Sequence, residues 1–109
     1  MTESRGLDEE CEDAPAPREG AIVRVLRIVN EKGLHARASA KFVQTVEKFD
    51  ADVRVTRCGD TVGGTSIMGL MSLAAARGTD ITVEASGPEA EAVMVAIDTL
   101  ISSRFGEEE

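Results

Sequence analysis

The spacing of hydrophobic residues changes repeatedly between residues 22 and 101, and this change constrains the fold more than any other feature of the sequence. Runs that are β-branched or alternate with period two predict strands at Ile22–Val29, Val53–Cys58, Thr61–Val62 and Asp80–Ala85. Helical spacing predicts helices at about Leu34–Phe49, at Ser66–Ala75 and from Gly87-Pro88 to Ile101. The predicted order is therefore β-α-β-β-α-β-α.

Short strands joined by hairpin signals favour an antiparallel arrangement. Gly59-Asp60 is such a signal between the second and third strands. Helices that cover one face of a sheet bury their apolar stripes in two layers. We therefore expect an α+β fold, an open-faced sandwich in which a four-stranded, mainly antiparallel sheet carries all three helices on one face.

The net charge of −8 is concentrated at the two ends of the chain. Residues 1–20 carry seven acidic and two basic side chains, residues 107–109 are all glutamate, and residues 21–106 sum to zero. A polar acidic stretch with little to bury is typical of disorder. We predict an acidic disordered N-terminal tail (1–20), one folded domain (21–106) and an acidic C-terminal tail (107–109). Without a basic excess, nucleic acid is not an expected partner.

Several other classes of protein are disfavoured by the sequence. No apolar run approaches the roughly 20 residues of a membrane span, and the acidic first 20 residues do not resemble a secretory signal. Cys11 and Cys58 show neither a paired framework nor metal-ligand spacing, which favours reduced cysteines and a cytoplasmic protein. No second His or Cys lies at ligand spacing from His35, so we expect no metal and no cofactor.

His35, the single histidine, lies where a loop turns into the first predicted helix. Free backbone N–H groups at a helix start, here those of Ala36 and Arg37, favour an anion. The Arg37 guanidinium can add a bidentate contact to phosphate oxygens. A nucleophilic imidazole beside an anion cradle suits covalent phosphoryl transfer. The alternative is that His35 is an ordinary surface or helix-end residue.

Two segments resemble motifs of one known family. Gly33-Leu-His-Ala-Arg37 resembles the active-site motif of HPr, the histidine phosphocarrier family of the phosphotransferase system, and Thr65–Ala75 resembles that family's regulatory-serine segment. The resemblance covers about residues 22–105 and implies a relay protein rather than an enzyme. It implies that enzyme I phosphorylates His35 at Nδ1, with phosphoenolpyruvate as the original donor. Arg37 would stabilise the phosphoryl group, which would pass to a IIA-type acceptor.

The same resemblance implies a regulatory and docking surface on the second helix. Ser66 would be the serine that an HPr kinase/phosphorylase modifies, although the residue chemistry alone predicts an ordinary N-cap. Ile67, Met68 and Met71 are expected to supply partner contacts, since a Met-rich patch can repack against several partners. Core filling is the alternative fate of such residues. A carrier of this kind is expected to be a monomer.

The sequence also departs from the family pattern. Ala38 stands where the family usually has Pro, which favours the regulatory branch found in proteobacteria over the sugar-transport branch. Lys32 and Lys41 are expected to join Arg37 in a positive patch around His35. Two rival hypotheses are a regulatory binding module that acts through Ser66 phosphorylation and docking without relay, and an unrelated α+β ligand-binding domain.

Overall fold

A computed structural model describes residues 17–107 of the chain. The strands are β1 (Ile22–Arg27), β2 (Asp52–Arg57), β3 (Asp60–Gly63) and β4 (Asp80–Ser86). The helices are α1 (Ala36–Val46), α2 (Ile67–Ser72) and α3 (Ala90–Ser102), followed by a short 3₁₀ turn at Arg104–Gly106. The predicted order of strands and helices is confirmed, and the 3₁₀ turn is an addition to it.

The four strands form one sheet in the order β1-β4-β2-β3, and every neighbouring pair is antiparallel. β4 therefore lies inside the sheet, where Val83 pairs with Arg24 of β1 and Val55 of β2. Successive side chains of a strand point to opposite faces, so Ile81, Val83 and Ala85 share the face that carries the core. The predicted α+β fold with three helices on one face of the sheet is confirmed.

The core lies between the sheet and the helices. Phe42 and Val46 of α1 and Val93 and Ile97 of α3 are buried against this face. Because these positions recur at helical spacing, the apolar stripes of the sequence are the surfaces that pack. The opposite face of the sheet exposes residues such as Val25.

The β2–β3 turn lies one residue earlier than predicted. Its loop residues are Cys58 and Gly59, with φ of 53° and 84°, and Arg57 pairs with Asp60. Positive φ at both central residues is the geometry that matches strand twist in a two-residue hairpin.

Cys58 is disulfide-bonded, so the expectation of a reduced thiol is wrong for this residue. The other cysteine, Cys11, lies outside the described residues.

α2 is shorter than predicted and ends at Ser72 instead of Ala75. Ala74 adopts a positive φ of 53°, which breaks the helix. The Ala75 carbonyl then accepts a 2.9 Å hydrogen bond from the N–H of Leu34. This bond ties the end of α2 to the loop that precedes α1.

The last helix begins later than the predicted Gly87-Pro88, since its N-cap is Glu89 and its first residue is Ala90. Glu89 caps the helix without a side-chain bond to it, since its carboxylate accepts the Asp50 N–H at 2.6 Å. After α3, the 3₁₀ turn buries Phe105 in the core. No helix in the described part of the chain is long and apolar enough to cross a membrane.

Two parts of the predicted acidic tails, residues 17–20 and Glu107, are described by the structure. Arg18 lies against the sheet, where it pairs with Asp52 and Glu84. Glu107 follows the 3₁₀ turn and is partly buried. Residues 1–16 and 108–109, which make up the rest of both predicted tails, lie outside the described residues.

Candidate functional site

The loop that leads into α1 is held tightly against the end of α2. Gly33 has φ of 67°, and a Cβ placed there would lie 2.4 Å from the Ala75 carbonyl oxygen. Leu34 is buried and donates its N–H to the same oxygen. Glycine is therefore the residue that this close approach permits, and the packed loop sets the position of His35.

His35 is the N-cap of α1. Its backbone is extended (φ −77°, ψ −176°), and its carbonyl accepts the first helical hydrogen bond from Ser39 N–H at 2.9 Å. Its Nδ1 accepts a hydrogen bond from the backbone N–H of Arg37 at 3.2 Å. The imidazole thus does what Ser or Asp does at other helix starts, and Nδ1 lies at the positive end of the helix dipole.

The other ring nitrogen of His35 faces the carboxylate of Glu107. The distance from Nε2 to Oε2 is 2.5 Å. A carboxylate accepts and a backbone N–H donates. These two partners favour the tautomer in which Nε2 carries the ring proton and Nδ1 carries the lone pair that a nucleophile needs.

Glu107 is held by a second donor. The Asn30 amide donates through Nδ2 to Oε1 of Glu107 at 3.2 Å and to the Gly33 carbonyl at 2.9 Å. Burial would raise the pKa of Glu107, but hydrogen bonds from His35 and Asn30 and the nearby charges of His35 and Lys32 outweigh burial and lower that pKa. The carboxylate is therefore ionised at neutral pH.

A cavity of about 460 Å³ lies beside the imidazole. It is lined by Glu31, Lys32, His35, Ala36, Arg37, Lys41, Gly106 and Glu107. The predicted positive residues are all present, but two carboxylates share the cavity, so the expected patch is of mixed charge.

Two of the cations that line the cavity, Lys41 and Arg37, differ in whether their side chains are already bonded. The Lys41 ammonium is already bonded within the protein, because its Nζ donates to the Phe105 carbonyl at 2.6 Å. Arg37 is exposed, and its guanidinium makes no hydrogen bond or ion pair within residues 17–107. It is free to contact an anion beside His35.

This arrangement can receive a phosphoryl group covalently. In such a reaction the Nδ1 lone pair would be the nucleophile, the α1 N-terminus and Arg37 would hold phosphoryl oxygens, and Glu107 would accept a hydrogen bond from the protonated Nε2. Within residues 17–107 no three His, Cys, Asp or Glu side chains group closely enough to hold a metal ion.

Ser66 is the N-cap of α2. Its Oγ accepts the N–H of Gly69 at 2.9 Å, and the residue is exposed. A Cβ on Gly69 would lie 2.8 Å from that Oγ and 2.9 Å from Cβ of Val62, so the cap needs glycine there. The hydroxyl is both a structural cap and accessible from solvent.

The three predicted docking residues are exposed on the same helix. The exposed fractions are 40% for Ile67, 75% for Met68 and 38% for Met71, whereas Leu70 is fully buried. α2 also packs against α1. The apolar patch formed by Ile67, Met68 and Met71 therefore lies on a helix that neighbours the one capped by His35.

Sequence reasoning missed Glu107 and Asn30. The sequence predicts Glu107 only as part of the acidic C-terminal tail (107–109), and it does not mark Asn30 as a site residue. Asn30 lies just before the Gly33–Arg37 motif, but nothing in that motif signals a contact with Glu107, 77 positions away. The buried Phe105 is the one available hint, since an apolar residue after α3 can anchor the segment that follows.

Comparison with known proteins agrees with these features. The family model described as the PTS HPr component phosphorylation site matches residues 22–103. Phosphocarrier protein HPr of Neisseria meningitidis serogroup B is 50% identical over 84 residues, which cover 77% of this chain and 94% of that protein.

Solved structures show the same likeness. A crystal structure of HPr from Thermoanaerobacter tengcongensis has a TM-score of 0.77 at 40% identity and covers 81% of this chain and 99% of that one. A crystal structure titled an HPr dimer from the same organism has a TM-score of 0.64 at 41% identity, with 75% and 94% covered. The chain accordingly belongs to the HPr family, the phosphocarrier proteins of the phosphotransferase system, which carry phosphoryl groups and are not enzymes.

Proposed function

We propose that His35 accepts a phosphoryl group at Nδ1 from enzyme I, with phosphoenolpyruvate as the original donor, and passes it to a IIA-type acceptor protein. The observation that carries this proposal is the pairing of the ring nitrogens, which leaves the lone pair on Nδ1 at the start of α1. In the transfer, Nδ1 forms the N–P bond while the bond from phosphorus to the donor breaks and the donor keeps its electron pair.

Arg37 stabilises the bound phosphoryl group in this proposal. Its exposed guanidinium can reach phosphoryl oxygens, and the N–H groups at the start of α1 add a favourable dipole. The Arg37 N–H that now binds Nδ1 becomes available to a phosphoryl oxygen when Nδ1 is bonded to phosphorus.

Ser66 is the proposed regulatory site, modified with ATP by an HPr kinase/phosphorylase. Its hydroxyl is exposed, and a phosphate at a helix N-cap is favoured by the dipole, so modification need not unfold α2. The phosphate would add about −1.5 to −2 charges beside the patch of Ile67, Met68 and Met71. We propose that enzyme I and other partners dock on that patch.

We propose that the protein is a monomer whose working domain is residues 21–106, to which Glu107 adds one side chain at His35. A monomer suits a carrier that meets its partners one after another, and the proposed cytoplasmic location rests on those partners and not on Cys58. We propose that the protein belongs to the regulatory branch of the family found in proteobacteria, because Ala38, buried in α1, stands where the family usually has Pro.

The rival hypothesis is a regulatory module without relay. It is supported by the exposed Ser66, but it gives no role to the arrangement around His35.

Phosphorylation by enzyme I decides between these two functions. The protein is incubated with phosphoenolpyruvate and enzyme I, and its intact mass is measured before and after mild acid. We expect one acid-labile phosphoryl group, absent from His35→Ala and present in Ser66→Ala. Failure to label the wild type, or a label that survives in His35→Ala, would contradict relay through His35.

The regulatory role needs a separate measurement. With ATP and an HPr kinase, we expect an acid-stable phosphoryl group that is absent from Ser66→Ala. The phosphoserine form should then accept phosphoryl groups on His35 more slowly. An unchanged rate would refute regulation through this residue.

A further inference from the structure

We propose that Glu107 is a positioning residue for His35. Its carboxylate holds the proton on Nε2, keeps the lone pair on Nδ1, and balances the positive charge that the ring gains when Nδ1 takes a phosphoryl group. The charge-balancing part of this inference rests on the proposed phosphoryl transfer, whereas the tautomer part does not.

The fold, and not a flexible end, brings Glu107 to the site. Phe105 is 1% exposed and anchors the preceding turn in the core. Lys41 of α1 donates to the Phe105 carbonyl at 2.6 Å, and the N–H of Glu107 donates to the Arg104 carbonyl at 3.0 Å. The buried Phe105 side chain and these two hydrogen bonds therefore fix the backbone that leads to Glu107. The Glu107 side chain is itself only 13% exposed.

Asn30 orients the carboxylate. This side chain is fully buried, and its amide donates both to the Gly33 carbonyl and to Oε1 of Glu107. Its Oδ1 is buried without a partner among the described residues. Turning the amide over would place Oδ1 against the Gly33 carbonyl and the Glu107 carboxylate, neither of which can donate a hydrogen bond. The two donor bonds therefore set the amide orientation and link Glu107 to the loop that carries His35.

The charge balance of the transfer gives Glu107 its role. A neutral imidazole attacks through Nδ1, the donor leaves with the electron pair of the broken bond, and Nε2 keeps its proton. The ring thus becomes a positively charged N-phosphoimidazolium. A carboxylate 2.5 Å from Nε2 stabilises that charge as it develops, as the buried aspartate does for the histidine of a serine-protease triad.

The tautomer of His35 is the first test, and it needs no phosphoryl transfer. Nitrogen-15 NMR of the full chain at a pH where the imidazole is neutral should show the Nε2–H form in the wild type. Glu107→Ala should shift a measurable fraction to the Nδ1–H form. The matched control is Glu47→Ala, which removes an exposed carboxylate at the other end of α1 and should leave the tautomer unchanged. An unchanged tautomer in Glu107→Ala refutes the positioning role.

The rate of phosphorylation by enzyme I and phosphoenolpyruvate is the second test. Glu107→Gln keeps the size of the side chain and loses the charge. We expect a fall of about tenfold in the initial rate, which is the lower end of the losses seen when the carboxylate partner of a metal-ligating histidine is removed. Glu107→Asp should recover part of the rate, and Glu47→Gln should match the wild type.

The two tests distinguish the failure of relay through His35 from the failure of positioning by Glu107. Circular dichroism and thermal unfolding identify any variant that has lost its fold. If Glu107→Ala is unfolded, the tautomer is measured in Glu107→Gln instead. Equal rates for Glu107→Gln and wild type refute charge balancing, while a labelled wild type still supports relay. A wild type that takes no phosphoryl group refutes relay, while the tautomer measurement still decides the positioning role.

Discussion

The backbone of Gly33 passes so close to Ala75 that no side chain has room between them. This contact, together with the bond from Leu34 to the same carbonyl, sets where the loop ends and where His35 begins α1. Packing against backbone leaves little scope for relaxation, because a backbone carbonyl cannot move aside as a flexible side chain can. The position of His35, the proposed nucleophile, therefore depends on a residue that has no part in the proposed chemistry.

Replacing Gly33 by Ala should destabilise the protein by about 2–4 kcal/mol, since the change adds a steric clash to the cost of positive φ. The control is Gly59→Ala, where φ is 84° but no atom lies within 4 Å of the new Cβ, and a cost of about 1–2 kcal/mol is expected. Urea unfolding measures both. Equal losses in the two variants would show that the contact with Ala75 does not matter.

At the scale of an element, α2 is a helix that depends on its cap and its neighbours for stability. It has six residues, and only Leu70 among them is buried. Isolated helices of this length are unstable, so α2 depends on its cap at Ser66 and on its contacts with α1 and β3. The residues proposed for regulation and docking thus lie on a helix with little stability of its own.

Ser66→Ala should cost about 1 kcal/mol, because the Gly69 N–H loses its side-chain acceptor. Ser66→Asp should stay close to the wild type, since aspartate is also a good N-cap. Ser72→Ala is the matched control: Ser72 is exposed in the same helix and bonds only the Gly69 carbonyl, 2.7 Å away, so we expect a change within about 0.5 kcal/mol. Urea unfolding of the three variants would contradict the capping role if Ser66→Ala and Ser72→Ala were equally stable.

At the scale of the whole molecule, Arg18 links the chain before β1 to two other strands. Its guanidinium bonds Glu84 of β4 at 2.5 Å and Asp52 of β2 at 2.6 Å. Glu84 is largely buried on the sheet face opposite the helices. Burial would raise its pKa, but hydrogen bonds and charge from Arg18, together with the charge of Arg54, lower the pKa overall.

This ion pair makes stability depend on pH with a definite sign. A carboxyl whose pKa is lower in the folded protein than in the unfolded chain stabilises the fold above the unfolded value, and that stability is lost as the pH falls through the folded value. Glu84 and Glu107 both have lowered pKa values. The free energy of unfolding should therefore fall as the solution becomes more acidic than about pH 4.5.

Glu84→Gln should be less stable than the wild type by about 1–3 kcal/mol at pH 7, because a buried charge-assisted hydrogen bond is lost. The difference should narrow as the pH falls below about 4.5, since protonated Glu84 and glutamine are both neutral. Urea unfolding at pH 7, 5 and 3 checks this. Glu47→Gln serves as the exposed control, and a difference between Glu84→Gln and wild type that did not vary with pH would contradict the account.

The sequence by itself determined the order of strands and helices and singled out His35, which we propose as the nucleophile. Hydrophobic spacing is a local property of the chain, and so is the placement of His35 and Arg37 at a helix start after Gly33. These features could therefore be predicted before any contact was known. The same holds for Ser66 as a cap, because N-capping uses an N–H only three residues away.

Only the tertiary structure decided which distant groups complete the site. Glu107 lies 72 positions from His35 in the chain, and Asn30 lies 77 positions from Glu107. Their contacts arise because Phe105 packs into the core and turns the chain back toward α1. α2 ends earlier than predicted because Ala74 adopts a positive φ of 53°, and the Ala75 carbonyl beyond it accepts the long-range bond from Leu34. Such contacts depend on the three-dimensional path of the chain, which no local pattern of residues records.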